Sequence, residues 1–267
     1  MKKMILAATA ALAMLASCNK HTDEIADSAT GSVVKITLTD KTPETRAFFD
    51  QTAESWEKKI GTLTLFVFDG NGDAVLQRKF TAAEISGQTA TIPVPDAAPG
   101  QTYSFYAIAN GSALSGIGTL DDLRSQAESE IADYNGTFDE VTTKAKRSAG
   151  FTMTGSATKA IAAAGQTTTV QIALERLVSK VAVQATTDSK FAATYPGRVR
   201  IASATVSRAA SSVSYFDVGT SHSGGTQNRE HSGGTMPLFA AQTFSHTQAA
   251  KEQSGKYANL FYIYGNE

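Results

Sequence analysis

The segment VVKITLTD, residues 33–40, alternates apolar and polar side chains with a period of two. Its apolar positions are Val34, Ile36 and Leu38. This period is typical of a β-strand that buries one of its two faces. At ~1.5–3 kcal/mol for each buried side chain, the three together contribute roughly 5–9 kcal/mol. The segment is therefore predicted to be a strand that adds substantially to the stability of the fold.

The rest of the chain repeats this strand pattern many times. Residues 74–80 are predicted to form a hairpin with residues 62–68, and residues 199–207 are predicted to pair with residues 211–218. The other predicted strands are residues 89–94, 103–109, 150–154, 168–174, 178–185 and 259–264. The chain is thus predicted to be mainly β, with two sandwich-type domains and a boundary near residues 176–180. The second domain is short, and the apolar run so close to residue 267 favours an incomplete second domain.

One short helix is expected in the first domain. Thr119 can cap its N-terminus, with Asp122 as a capping-box partner three residues on. Apolar residues follow at helical spacing as far as Ile131, and the Asn135-Gly136 pair marks the end. The pattern predicts one helix over residues 120–134.

Composition excludes several classes of protein. The 267 residues carry 24 Lys+Arg and 25 Asp+Glu, a net charge of −1, which argues against a general nucleic-acid binder. With 42% hydrophobic residues the chain can form a packed core. The single cysteine, Cys18, excludes an internal disulfide framework.

The N-terminus resembles a bacterial lipoprotein signal. Lys2 and Lys3 precede an apolar stretch, residues 4–16, that is too short to span a bilayer. It ends in the sequence LASC, residues 15–18, which resembles a lipobox with Cys18 as the lipidated residue. Several acyl chains on one residue give stable membrane attachment. A plain secretory signal with a chance cysteine is the alternative.

The sequence motifs that could mark a metal-binding or catalytic site are weak signals. The turn DGNGD, residues 69–73, opens like an EF-hand loop but lacks its glycine and terminal glutamate, so a hairpin turn is favoured. His222 and His231 lie in a duplicated HSGGT motif within residues 219–236, which is interpreted as a long surface loop rather than a metal site. His246 is interpreted as a surface residue. No nucleophile elbow, zinc-protease motif or phosphate loop occurs, so neither catalysis nor a cofactor or metal is predicted.

Several segments occur in a characteristic order along the chain: the lipobox at Cys18, residues 33–47, LTLFVF with its DGNG turn (residues 63–72), YSFYAIAN (103–110), FTMTG (151–155), LERLVSKV (174–181) and FYIYGN (261–266). Taken together, these segments resemble the FimA/Mfa-type fimbrillins, the type V pilus subunits of Bacteroides-like bacteria. The departures from the family pattern are Gly265, where the family has Glu, and the absence of the family's final strands.

The resemblance implies a maturation mechanism. Such subunits are exported as lipoproteins, and an Arg-specific protease then cuts in the loop after the first strand, here between Arg46 and Ala47. Loss of the strand carrying Val34, Ile36 and Leu38 would leave an unpaired edge and an apolar groove for a strand of another subunit. Head-to-tail addition does not close on itself and so builds a filament. The alternative is that the segment is an ordinary edge strand.

The resulting organisation is a signal peptide (residues 1–18), a tether plus removable strand (19–46), an N-terminal β domain (47–177) and a C-terminal β domain (178–267), both domains sandwich-like and transthyretin-like. The expected partners are further copies or other fimbrial subunits, the outer membrane through a lipid such as palmitate on Cys18, the protease, and a host surface protein or glycan. The expected place is the bacterial outer membrane and cell-surface fimbria, with a role in adhesion.

Two alternatives to a stalk subunit stay open at this point. The chain could be a surface lipoprotein that binds host protein or glycan without polymerising. It could instead be a fimbrial anchor or tip subunit rather than a stalk subunit. The sequence names neither the adhesive target nor the protease.

Overall fold

The computed structural model describes residues 32–40, 55–85, 87–94, 99–143, 149–163, 165–186, 194, 200–216, 243–253 and 255–264. These residues are mainly β, as the alternating pattern predicts. The strands of the first part are β1 Ser32–Asp40, β2 Thr62–Phe68, β3 Ala74–Thr81, β4 Thr89–Val94, β5 Thr102–Ala109, β6 Ala127–Glu128, β7 Met153–Ala160 and β8 Thr167–Arg176.

Seven of these strands follow one another in the order β3-β2-β5-β7-β8-β1-β4. β7 and β8 pair at their near ends, Met153 opposite Arg176 and Thr154 opposite Glu175. Beyond that point the strands separate around a cleft of about 370 Å³. The sheet therefore turns at β8, and β3-β2-β5-β7 and β8-β1-β4 contribute to one shared core, as in a sandwich. That core includes Leu65, Val67, Phe105, Val34, Ile36, Ile92, Val170 and Ile172.

The β2–β3 connection is the predicted hairpin turn. Asp69 Oδ1 accepts hydrogen bonds from the backbone amides of Asn71 (2.9 Å) and Asp73 (3.0 Å). The bond from the Asp73 amide is the largest cause that holds the pKa of Asp69 below its ordinary value. The carboxylate thus closes its own turn, which agrees with the hairpin interpretation of this acidic cluster.

The prediction of one helix over residues 120–134 is wrong. Its capping box is present, but the chain forms α1 Leu120–Arg124, the short strand β6, and α2 Ile131–Tyr134. A third helix, α3 Phe138–Thr143, follows; the sequence analysis missed its signal, the capping box that Thr137 and Glu140 form. Glu128 is the physical reason, since its 1% exposed side chain accepts buried hydrogen bonds from Tyr134 and Tyr215. Ala127–Glu128 then pairs with Val213–Ser214 instead of continuing the helix.

The strands of the second part are β9 Val178–Thr186, β10 Ser203–Ala210, β11 Val213–Ser214, β12 Thr243–Ala249, β13 Lys251–Gln253 and β14 Lys256–Tyr264. The predicted pairing of residues 199–207 with 211–218 is wrong: β10 pairs with β12, a strand the sequence pattern did not reveal. β14 matches the predicted final strand and pairs with β9 along its whole length. β7 begins three residues later than the predicted strand and extends further.

The second part shares a core with the helices of the first. Tyr134 of α2 and Val141 of α3 pack with Leu260 and Tyr262 of β14. The division of the chain into two domains at residue 177 stays a prediction. No helix among the described residues is long and apolar enough to cross a membrane.

Candidate functional site

β1 is an interior strand, flanked on both sides. It runs parallel to β8, from Val33 opposite Thr167 to Asp40 opposite Leu174. On its other edge it runs antiparallel to β4, from Ser32 opposite Val94 to Thr37 opposite Thr89. The alternative of an ordinary edge strand is therefore wrong, because both edges of β1 carry main-chain pairing.

The three predicted apolar residues of β1 all point into the core. Val34 and Ile36 are 0% exposed and Leu38 is 1% exposed. The register places Val34 between Ile92 and Thr168. The strand is thus held by apolar burial and by pairing that any extended chain can make.

The next two inward positions of β1 are flanked differently. Ile36 lies between the small Ala90 of β4 and Val170 of β8. Leu38 lies beside Ile172, and its backbone amide donates to the Gln88 carbonyl (2.9 Å). We call the space between β4 and β8 that β1 fills the β1 groove.

The outward face of β1 is polar. Lys35 and Thr39 are exposed, and Lys35 lies between Thr91 of β4 and Thr169 of β8. Alternation of burial therefore matches the sequence pattern residue by residue from 33 to 39.

A glycine fixes the corner at which β8 leaves β7. A Cβ on Gly155 would overlap the Ala173 carbonyl oxygen and would lie 2.8 Å from the Ile172 side chain. Because β7 and β8 approach so closely, this position accepts no side chain. The FTMTG segment of the sequence thus ends at the corner that positions β8 against the β1 groove.

A buried carboxylate ties the end of β8 to the second part of the chain. Glu57 lies in a 3-10 turn, Ser55–Lys58, and is 1% exposed. Its Oε1 accepts hydrogen bonds from Lys180 Nζ (2.8 Å) and the Tyr262 hydroxyl (2.9 Å). Its Oε2 lies 3.6 Å from Arg176 Nη1. Arg176 and Lys180 are the two cations of the LERLVSKV segment, so this contact gives that segment a structural role.

Sequence reasoning missed Glu57. The available signal was indirect: two cations bracket a short apolar stretch, and buried cations need a carboxylate from elsewhere in the chain. Nothing in the SWEK sequence around residue 57 marks that glutamate among the chain's other acidic residues.

Asn110 closes the end of β5. Its Oδ1 accepts from the Gly61 amide (2.7 Å), and its Nδ2 donates to the carbonyls of Lys59 (2.8 Å) and Phe151 (2.9 Å). The residue adopts a left-handed φ of 57°, which asparagine tolerates better than most residues. The final asparagine of the YSFYAIAN segment is therefore a structural tie.

A second buried network surrounds Glu128. The hydroxyls of Tyr134 (3.1 Å) and Tyr215 (3.0 Å) donate to its two carboxylate oxygens. Burial is the largest cause, and the Glu128 charge the next, that raises the pKa of Tyr215 well above its ordinary value. Tyr215 thus stays a neutral donor, and the network positions β6 and β11.

The other predicted site residues lie outside the described residues. These are Cys18, Arg46, Ala47, His222 and His231. Within the described ranges, no group of three or more His, Cys, Asp and Glu side chains could hold a metal ion. His246 is half-buried rather than a surface residue, and its Nε2 lies 2.9 Å from the Gly136 carbonyl oxygen.

The family model for the major fimbrial subunit protein FimA matches residues 32–238. The chain belongs to this family. Membership of this family implies a location in cell-surface fimbriae and a fimbrial or adhesive role. The members of the family are structural proteins rather than enzymes. The predicted family resemblance is confirmed.

Solved structures agree on the fold of this fimbrial subunit. A fimbrial assembly protein from Parabacteroides distasonis is 13% identical, with 88% of each chain covered and a TM-score of 0.50. A fimbrilin from Porphyromonas gingivalis W83 is 16% identical, covering 88% of this chain and 66% of that chain, with a TM-score of 0.51. No curated protein sequence matches the chain significantly.

Proposed function

We propose that the chain is a fimbrial building block that matures by losing β1 and assembles by strand exchange at the β1 groove. The observation that carries the proposal is the position of β1 between β4 and β8, with both edges paired and one face buried. Another strand of alternating pattern would satisfy the same main-chain groups and the same apolar core.

Arg46 is the proposed processing site. It follows β1 by six residues, and Glu57 fixes the chain again eleven residues further on. A cut between Arg46 and Ala47 would separate β1 covalently from the rest of the fold while leaving the Glu57 contacts in place. The family model begins at residue 32, the first residue of β1, which supports β1 as part of the precursor fold.

Cys18 is the proposed lipid attachment site, which would hold the precursor at the outer membrane. Cys18→Ser should abolish incorporation of labelled palmitate and leave the fold unchanged, because Cys18 precedes β1 by more than a dozen residues. Incorporation that persists in Cys18→Ser would contradict the assignment.

The test of assembly uses the protein that starts after Cys18 and extends to its natural C-terminus, treated with a limiting amount of Arg-specific protease. Mass spectrometry locates the cut, and negative-stain electron microscopy shows the product. The expected result is a dominant cut between Arg46 and Ala47, followed by filaments or a ladder of stable oligomers.

Arg46→Lys is the matched control, because it keeps the charge but removes the protease specificity. It should stay uncut and monomeric. Resistance of the natural protein at Arg46, or a cut that yields monomers alone, would overturn the stalk assignment in favour of an anchor, a tip or a plain binding lipoprotein.

A further inference from the structure

We infer that the two walls of the β1 groove are unequal: β8 is a fixed wall, and β4 is a movable wall that docks together with whichever strand occupies the groove. The inference deepens the proposed function and rests on it for its biological use. The dependence of β4 on β1 can be measured in the intact chain, so the inference can be tested even if the proposed function fails.

β4 depends on β1 for its sheet pairing. Among the described strands, β4 lies at the end of the sheet order and pairs with β1 alone. When β1 leaves, the main-chain groups of β4 that face the groove lose every strand partner. The side chains that β4 contributes to the core are Ala90 and Ile92, which are 1% and 0% exposed while β1 is in place beside them.

The turn before β4 depends on β1 as well. Gly87 and Gln88 both have positive φ, 56° and 60°. A left-handed conformation is unfavourable for a residue with a Cβ such as Gln88. The Gln88 carbonyl accepts the Leu38 amide at 2.9 Å, so β1 contacts the strained residue directly. Loss of β1 removes this contact and frees the turn to relax.

β8 keeps its own anchors at both ends. At the C-terminal end it stays paired with β7, packs its Ala173 carbonyl on Gly155, and places Arg176 beside Glu57. At the N-terminal end, Thr168 Oγ1 accepts the Ala162 amide at 2.8 Å.

The main chain of β8 pairs with β1 from residue 167 to residue 174, so when β1 is absent the middle of β8 is held by its side chains. Val170, Ile172 and Leu174 are each 0–2% exposed in the core. None of the anchors named for the two ends of β8 involves β1 or β4.

This asymmetry assigns an order to the exchange. The occupant is an extended strand from a second copy of this chain, with apolar side chains at every second position. It pairs first with the firm edge of β8, where Thr168, Val170 and Ile172 meet its inward side chains. β4 then pairs with the other edge of the incoming strand, so both walls of the β1 groove are in place only when a strand occupies it.

Hydrogen exchange of the intact chain measured by mass spectrometry tests the coupling. Peptides covering residues 32–40 and 87–94 should open with equal free energy as one unit. Because residues 167–174 of β8 also pair with β1, the reference for the fixed wall is residues 175–177, which pair with β7 or donate to the Thr152 carbonyl and should exchange about tenfold slower or more. Ile36→Ala should raise exchange of both β1 and β4 by the same factor and leave residues 175–177 unchanged.

The matched control is Leu65→Ala, a core truncation in β2 that pairs with neither wall. It should not raise exchange of β1 and β4 selectively. Faster exchange of β1 alone in Ile36→Ala, with β4 unchanged, would overturn the inference. Equal acceleration of β4 and of the β7-paired end of β8, residues 175–177, would overturn it too.

A second arm uses the protein after its cut and removal of residues 19–46. Residues 87–94 should lose protection while residues 175–177, which contact β7 and Thr152 rather than β1, keep it, and a synthetic peptide of residues 32–40 should restore protection to β4. If the chain is not cut or does not assemble, the proposed function fails, whereas the exchange data on the intact chain still decide the wall inference.

Discussion

β1 and β14 are both nine-residue strands of the core, but different forces hold them. β1 has a strand on each edge and contributes apolar side chains. β14 pairs with β9 along one edge; on its other edge it pairs with β13 over residues 256–258 only, and side-chain amides close part of the rest. Asn135 Oδ1 accepts the Tyr262 amide (2.9 Å) and its Nδ2 donates to the Tyr262 carbonyl (2.8 Å).

Gln248 makes the same two kinds of hydrogen bond with Leu260, two residues before Tyr262 in β14. Its Oε1 accepts the Leu260 amide (2.8 Å) and its Nε2 donates to the Leu260 carbonyl (3.0 Å). The Tyr262 hydroxyl in turn donates to Glu57. The contacts of β14 are thus specific to particular side chains, whereas those of β1 are generic. The difference explains why β1, and not β14, is suited to replacement by another strand.

The largest expected effect is the loss of the carboxylate that ties β14 to β8. Glu57→Gln keeps the side chain's size but leaves Arg176 and Lys180 without a negative charge, at side-chain exposures of 10% and 15%. We expect a loss of about 3 kcal/mol in the free energy of unfolding, measured by chemical denaturation.

Glu84→Gln is the matched control, since the Arg78–Glu84 pair (3.4 Å) is partly exposed, at 26% and 43% of the two side chains. Its loss should lower stability by less than about 1 kcal/mol. Equal losses of stability in Glu57→Gln and Glu84→Gln would contradict the claim that the buried Glu57 carboxylate holds β14.

Asn135→Asp should come next in size. The change is isosteric, but an ionised carboxylate lacks the N–H that donates to Tyr262 and Ile131, so about 2 kcal/mol of stability should be lost at neutral pH. When the introduced carboxyl group is protonated, it regains one donor. The destabilisation should therefore shrink as pH falls, as thermal unfolding at several pH values can check; a pH-independent loss would argue against the amide contact.

An isosteric change in β1 should matter less. Ile36→Leu keeps the apolar volume between Ala90 and Val170, and should change the free energy of unfolding by less than about 1.5 kcal/mol. Assembly after the cut should persist, because β1 leaves before the groove is filled. A larger loss of stability would indicate that β1 is as side-chain specific as β14.

The smallest effect should come from a site remote from both strands. The Thr119 hydroxyl, and then the Thr119 and Gly118 amides, hold the pKa of Asp122 below its ordinary 3.8. A lowered pKa gives stability that is present above that value and is lost as pH falls through the folded pKa. Asp122→Asn should thus destabilise slightly at pH 7, with the difference from the natural protein vanishing in acid. An unchanged difference would contradict the capping box.

Much of β1 could be predicted from sequence because its rule is local. Alternation alone identifies the buried face of Val34, Ile36 and Leu38, and the Asp69 turn marks its own hairpin. The position of β1 between β4 and β8 could not be predicted, since strand order depends on contacts across more than a hundred residues.

The specific contacts of β14 were equally hidden. The sequence pattern marks Asn135 as a helix end, yet its side chain binds Tyr262, 127 residues away in the chain. Glu128 falls within the predicted helix, but the buried hydroxyls of Tyr134 and Tyr215 hold it in a two-residue strand. A local pattern carries no record of such long-range partners, which override helix propensity.

The most direct test of strand replacement is peptide exchange followed by native mass spectrometry. The protein cut after Arg46 is incubated with an isotope-labelled peptide of residues 32–40 and, separately, with the same peptide carrying Ile36→Asp. We expect the first peptide to displace the fragment of residues 19–46 and the second to remain unbound. Retention of the original fragment with no uptake of the labelled peptide, under conditions where the cut protein stays folded, would contradict the account.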